Sequence, residues 1–270
     1  KLRIMATLAQ GVARRMESAV QITHTSDPAE ALTDADFVVT TIRVGGDEGR
    51  VLDERIALRH GVLGQETTGP GGFAMALRSI PELLKYAGMM REICPDAWLF
   101  NFTNPAGLVA QALRNAGFER TIGICDSANL AQHAVAARLD VNENALRPEV
   151  FGLNHLSWVR RIEYNGEDVL PRFLADSEFL SETIQNVFEP ELVQLYGMWL
   201  NEYLYYYYYA EKALAAISSD EKTRGEEIVE LNRDVLAQLG THDLGNDLDG
   251  ALGIYYRYNQ RRESTYMHYA

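Results

Sequence analysis

Apolar side chains recur at helical spacing over Leu2–Arg14, a short strand-like run follows at Val20–Ile22, and Asp27–Leu32 reads as a helical turn. The period changes at Asp36–Phe37–Val38–Val39–Thr40–Thr41–Ile42. This run is β-branched and apolar, is closed by Gly45–Gly46, and predicts a buried parallel strand. Ile80–Ile93 is amphipathic at helical spacing, with Pro81 placed in the first turn, where a missing N–H breaks no helix bond. Trp98–Phe102 then reads as a strand, Ala106–Ala116 as a helix and Thr121–Cys125 as another strand. Strands and helices alternating in this order predict an α/β fold, a Rossmann-like parallel sheet with helices on its faces. The uniform run Tyr205–Tyr209 points its side chains all round a helix, so it predicts a packed helix with one tyrosine in a cleft.

Composition narrows the function classes. The chain has 270 residues, enough for one large domain or two fused ones, and 47% of them are hydrophobic, which predicts a globular core. No apolar run is long enough to span a bilayer, and the opening Lys1–Met5 lacks the apolar region of a signal peptide, so a cytoplasmic protein without membrane partners is expected. A net charge of -13 without a basic stripe argues against a nucleic-acid surface. An anionic substrate would then meet a few placed cations. Cys94 and Cys125 are too few for a disulfide framework, so free thiols are expected and one of them is open to chemistry.

In open parallel sheets ligands lie at the carboxyl ends of the strands. Three successive strand ends here carry polar groups: Thr41 and Arg43, then Asn101 to Pro105, then Cys125 and Asp126. Thr41, Arg43 and Asn101 are the candidate cofactor contacts. Singly, each has a plain structural alternative, since Gly45–Gly46 makes a turn and Asn104–Pro105 ends a strand. A dinucleotide fold also opens with a strand and a glycine-rich turn that holds the pyrophosphate, whereas this chain opens on a helix. Gly69–Pro70–Gly71–Gly72 lacks the dinucleotide spacing and reads as a loop near the substrate. The first βαβ portion of such a domain is therefore expected to be missing.

Four blocks, Gly64–Gly72, Asn101–Pro105, Gly123–Asp126 and Gly152–His155, together resemble glycoside hydrolase family 4, most closely its 6-phospho-β-glucosidases. The resemblance implies a sheet like that of lactate and malate dehydrogenases. Residues 1–126 would form an NAD-binding domain lacking its first portion, and residues 127–270 an α+β substrate and metal domain, incomplete at its C-terminal end. It implies NAD and a divalent metal, commonly Mn2+, the metal held by Cys125 and His155. It assigns Tyr266 as the base, Glu66 as the group assisting it, Asp126 as the acid on the leaving oxygen, and Arg50 and Asn104 as substrate contacts. The implied reaction is hydrolysis of O-glycosides by NAD-dependent oxidation at C3, deprotonation at C2, elimination, water addition and re-reduction, outside the two-carboxylate rule for glycosidases. A phosphorylated disaccharide or glycoside would be the substrate, and a homo-oligomer, dimer or tetramer, the assembly.

Read from the residues alone, Cys125 and His155 could be a buried thiol and a satisfied loop histidine, and Arg50 could pair with Asp53 or Glu54 on the surface. Tyr266 shares its region with Tyr255, Tyr256, Tyr258 and Tyr269, an aromatic packing surface in the plain reading. Other functions stand beside the main one. A 6-phospho-α-glucosidase, α-galactosidase or α-galacturonidase would share the family. A 2-hydroxy acid oxidoreductase would share the sheet, and a sugar-binding remnant would lack turnover.

Overall fold

The computed structural model describes residues 1–267, so Tyr269 lies outside the described residues. Helices α1 (Leu2–Arg15) and α2 (Pro28–Leu32) precede β1 (Phe37–Thr40). Helices α3 (Gly46–Arg59) and α4 (Gly69–Ile93) lead to β2 (Trp98–Asn101), and α5 (Ala106–Asn115) leads to β3 (Thr121–Gly123). The three strands pair in parallel in the order β1-β2-β3, as the alternation predicts. Helices α4 and α5 bury one face through Leu83, Ala87, Leu99, Val109 and Leu113. Each such leucine contributes about 1.5–3 kcal/mol by leaving water. The other face is open: Phe37 and Val39 are 66% and 61% exposed, and Trp98 and Ile122 are exposed beside them.

Two expectations fail here for local reasons. Val20–Ile22 forms no strand, because no neighbouring strand pairs with so short a segment; Val20 is exposed, and the carbonyl of Ile22 accepts instead from Gln10 Nε2 at 2.8 Å. The Gly69–Gly72 block is not a loop but the first turn of α4, which therefore starts well before Ile80 and carries Pro81 in its interior. Pro81 removes one helix bond to the carbonyl of Leu77. Burial of Leu83, Ala87 and Met90 on the following turns offsets that loss.

The glycines of this turn are a packing requirement. Gln65 Oε1 accepts from the backbone N–H groups of Thr67 at 2.6 Å and Thr68 at 3.0 Å, which draws the 65–68 turn against the helix start. A Cβ on Gly71 would stand 2.3 Å from the carbonyl oxygen of Gln65. Gly71→Ala is expected to destabilise the protein by about 1–3 kcal/mol, the usual penalty of overpacking against backbone, read as a lower urea midpoint.

The second half is built on antiparallel pairing. After α6 (Leu130–Leu139), strands β4 (Arg147–Leu153), β5 (Leu156–Tyr164) and β6 (Glu167–Asp168) run antiparallel. Short helices α7 (Leu170–Leu174), α8 (Ser177–Ser181) and α9 (Pro190–Tyr196) return the chain to β7 (Trp199–Leu200), which pairs with β5. Helices α10 (Tyr205–Tyr208) and α11 (Ala210–Ser219) follow, then α12 (Arg224–Thr241) and α13 (Leu248–Ser264). Val135, Ile162, Leu170, Trp199, Leu200 and Tyr205 belong to the large core of this half.

A third cluster joins Leu8 of α1 to Val235 and Leu239 of α12 and Ala251 of α13, so the chain's first helix packs on its last two. A capping box, Thr223 with Glu226, starts α12 and fixes it beside α3, where Arg55 pairs with Glu226. Among the described residues, no helix is long and apolar enough to cross a membrane.

Candidate active site at the carboxyl edge of the parallel sheet

The ends of β1 and β2 are tied together by side chains. Asn101, fully buried, accepts from Thr40 Oγ1 at 3.0 Å and donates to the carbonyl of Thr103 at 3.0 Å, while Thr103 Oγ1 accepts from the N–H of Ile42 at 3.0 Å. The Asn104–Pro105 bond is cis. Of the candidate cofactor contacts, Thr41 is exposed just past β1, Arg43 turns toward Glu66, and the Asn101 side chain is engaged within the protein.

Beyond the end of β3, Cys125 Sγ lies 3.4 Å from His155 Nε2. His155 sits in the two-residue connection between β4 and β5, with φ of +63°. A non-glycine residue rarely takes that conformation, and its appearance at a site is a pointer to function. The imidazole stacks on Tyr203, ring centroids 3.7 Å apart and planes within 4°. Tyr203 is placed by Asn201, which follows β7 and accepts from the Tyr203 N–H at 3.0 Å.

Burial pulls the His155 pKa down to about 4 against the opposing pull of Glu66 and Asp126, so the imidazole is neutral near neutral pH. A neutral imidazole beside a thiol is a donor pair for a borderline divalent metal. Among the described residues, no group of three or more His, Cys, Asp or Glu side chains gathers in metal-binding fashion. The other cysteine, Cys94, is buried in the sheet core, where burial pushes its thiol up, and it takes no part in the site.

Opposite the pair, Glu66 meets Arg43 and, at 3.2 Å, Arg50. Burial pushes the Glu66 carboxyl up, but Arg50, Arg43 and Arg262 together hold it below its ordinary range. Arg50 does pair with Glu54, at 2.8 Å, but in the interior at 7% exposure, and Glu54 in turn accepts from the Gly225 N–H at 2.7 Å. Asp53 pairs instead with Arg78. The plain reading of Arg50 as a surface cation is therefore corrected: packing of α3 against α4 and α12 buries it, where it bridges two carboxylates, Glu54 and Glu66.

Because Glu66 titrates below its ordinary 4.5 in the folded state, its contribution to stability is complete above that pH and is lost as pH falls below it. Arg50→Met should cost about 3 kcal/mol near neutrality by leaving buried carboxylates short of a partner. The gap to wild type should narrow in urea melts below pH 4.5.

The phenol Tyr266 donates to Glu202 Oε1 at 2.9 Å, and Ser127 Oγ donates to the same oxygen at 2.7 Å. The hydrogen-bond partners of Tyr266 are thus Glu202 and Tyr203, while Glu66 acts electrostatically on Tyr203. Burial drives both phenols, Tyr203 and Tyr266, above the ordinary tyrosine range. Tyr255 and Tyr258 pack with the helical cluster, Tyr258 donating to Asn232 at 2.7 Å, and belong to the packing surface of the plain reading, whereas Tyr256 is exposed. Within the tyrosine run, Tyr205 is in the core, Tyr207 is exposed, and Tyr206 faces the cavity.

A cavity of about 440 Å³ unites these groups, lined by Arg50, Glu66, Asn104, Asp126 and the Cys125–His155 pair. Lys222, Arg224 and Arg262 also line it, Lys222 paired with Glu230 and Arg224 with Glu227. The sequence reading missed these cations, Glu202 and Tyr203. The one local signal for the last two was an asparagine cap, Asn201, after the apolar pair Trp199–Leu200.

A thiol–imidazole pair and two phenols thus gather beyond the carboxyl edge of an α/β sheet, the edge at which such folds hold ligands. Residues 1–141 match the family 4 glycosyl hydrolase model, and residues 150–269 match the C-terminal domain of family 4 glycosyl hydrolases. The chain belongs to family 4 of the glycosyl hydrolases. It is 36% identical over 234 residues to a 6-phospho-beta-glucosidase of Escherichia coli (strain K12), covering 83% of this chain and 52% of the relative. It is 43% identical over 155 residues to 6-phospho-alpha-glucosidase 1 of Lacticaseibacillus paracasei, covering 56% of this chain and 35% of the relative. A solved 6-phospho-beta glucosidase of Thermotoga maritima with manganese, NAD+ and glucose-6-phosphate aligns with TM-score 0.78 and 28% identity, covering 95% of this chain and 62% of that one. The chain spans about half the length of the curated relatives it matches along most of its own length.

Proposed function

We propose that this chain carries the sheet edge and substrate cavity of an NAD- and divalent-metal-dependent glycoside hydrolase acting on 6-phospho-β-glucosides. The observation that carries the proposal is the 3.4 Å contact of Cys125 Sγ with His155 Nε2 beyond the end of β3, in a cavity also lined by two phenols, Tyr203 stacked on His155 and Tyr266. On this reading residues 1–126 form the cofactor side and residues 127–270 the substrate and metal side.

The residues present fit such a metal, since the thiol and the neutral imidazole together offer two donors and leave the remaining positions to sugar oxygens. Thr41 and Arg43 border the sheet edge where a nicotinamide cofactor lies in such folds, and Asn101 fixes the shape of that edge. When bound, NAD supplies reversible oxidation at C3 and the ion polarises the resulting carbonyl.

The chain's own residues do the rest. The Tyr203–Tyr266 pair faces the C2 proton, with Tyr266 as its acceptor. Asp126, exposed at the cavity wall, protonates the leaving oxygen. Glu66 keeps Arg43 and Arg50 oriented and stays ionised. Asn104 and Arg50 contact the sugar, and Arg224 and Arg262, which also line the cavity, are the cations that would meet a 6-phosphate, since Lys222 is held by Glu230.

The preference for β-glucosides rests on the relative matched over 83% of this chain. The α-glucoside reading is favoured by the higher identity, 43%, over a shorter stretch. A panel of nitrophenyl α- and β-glucosides, with and without 6-phosphate, assayed with and without NAD and Mn2+, tests the proposal. Cleavage confined to 6-phospho-β-glucosides in the presence of both additions supports it. Cleavage without NAD, or net NADH formation from a 2-hydroxy acid, contradicts it.

A further inference from the structure

Glu202 is a buried acidic side chain of the cavity whose place the reading above leaves unexplained. It is 1% exposed, Oε1 accepts from both Ser127 Oγ and Tyr266 Oη, and Oε2 is buried with no hydrogen-bond partner among the described residues. An incompletely satisfied buried carboxyl is costly. Packing does not account for its retention, because Leu200, Leu204 and Tyr205 on either side fill the core. Glu202 also joins the two ends of the proposed reaction. Ser127 follows Asp126, the proposed acid, and Tyr266 belongs to the proposed base pair.

We propose that Glu202 is a positioning residue that receives the proton displaced from Tyr266. The inference rests on the elimination reading of the preceding subsection. As the C2–H bond breaks, its proton goes to the Tyr266 oxygen and its electron pair stays on the sugar as an enolate. The phenolic proton of Tyr266 passes along the 2.9 Å hydrogen bond to Glu202 Oε1. The carboxylate becomes a carboxylic acid, the phenol remains a phenol, and the charge has moved from Glu202 to the substrate.

This route answers a difficulty in the site itself. An ordinary phenol has a pKa of about 10 and is a poor proton acceptor near neutrality. Burial raises Tyr266 and Tyr203 further, and Glu202 itself adds to the effect. With Glu202 behind Tyr266, no free phenolate has to be present. The groups facing Glu202 are Ser127 and Asp126 from the segment after β3, Tyr266 from beyond α13 and the adjacent Tyr203, on which Glu66 acts electrostatically. Burial raises the Glu202 carboxyl, and Asp126 adds to this, against the hydrogen bonds from Ser127, its own backbone N–H and Tyr266. Glu202 must be ionised to accept the proton, so the relay operates above its pKa and fails as pH falls through it.

The test uses the enzyme loaded with NAD and Mn2+ and a 6-phospho-β-glucoside in heavy water, reading the NADH absorbance burst and deuterium uptake at C2 separately. Glu202→Gln should keep the burst and lower the C2 exchange rate by about 100-fold or more, the usual weight of a positioned proton acceptor. Glu202→Asp should recover part of the loss, with KM little changed. Exchange in Glu202→Gln at the wild-type rate, while wild type itself exchanges, overturns the relay alone. Wild type that cleaves without any C2 uptake overturns the elimination reading and the relay with it. Should Glu202→Gln not fold, the wild-type pH profile of C2 exchange decides. An acid limb below neutrality supports the relay, and a rate still climbing toward about pH 10 means that the phenol titrates alone and overturns it.

Discussion

Cys125→Ser is expected to lower manganese-stimulated turnover by about 100-fold or more, since a metal acting as Lewis acid contributes several kcal/mol and each ~1.4 kcal/mol is tenfold in rate. The melting temperature of the unloaded protein should stay close to wild type. Cys125 is only partly buried, lies beyond the end of β3, and has His155 as its polar contact, so the core loses little when sulfur becomes oxygen. A serine hydroxyl is neutral at working pH and is a far weaker ligand than a thiolate. Manganese titrations of rate, wild type against variant, check the prediction. Equal stimulation of the two would remove Cys125 from the metal site.

Tyr266→Phe is expected to reduce kcat by about 10²–10⁴, the range for loss of a positioned proton acceptor. The ring packing near Tyr203 survives, with centroids now 6.5 Å apart, but Glu202 loses the donor Tyr266 and keeps Ser127. The NADH burst should persist, because oxidation precedes deprotonation. Tyr203→Phe provides the comparison within the pair, since Tyr203 stacks on His155 and Tyr266 does not. A variant that turns over at the wild-type rate would clear its phenol of the role. If that variant is Tyr266→Phe, the base is Tyr203.

The parallel sheet was legible because its strands are short apolar runs punctuated by Gly, Pro and Asn, a pattern that survives without knowledge of neighbours. Phe37–Thr40, Trp98–Asn101 and Thr121–Gly123 all fall inside the predicted runs. Val20–Ile22 has the same local character and fails, because a strand exists only when paired. The start of α4 was hidden for the opposite reason. Gly69–Pro70–Gly71–Gly72 has the composition of a loop, and only the close approach of the Gln65 carbonyl shows why glycine is needed in a helix there.

At the site, the strand-end residues were legible because the sheet brings them together in a known way. Glu202 was not. Its contact with Tyr266 spans 64 residues and its contact with Ser127 spans 75, and neither period nor composition encodes pairings of that range. The inward turn of Arg50 was hidden likewise, because helical spacing places Glu54 next to it but does not say which face of α3 is buried.

Deuterium at C2 of the released sugar is the most direct test of the account. The full-length enzyme with NAD and Mn2+, turning over a 6-phospho-β-glucoside in heavy water, should yield product carrying solvent deuterium at C2. Omission of NAD should abolish both cleavage and uptake. Cleavage that proceeds without NAD and leaves C2 unlabelled would contradict the account, because displacement at C1 would then need neither the phenol pair nor the Cys125–His155 site.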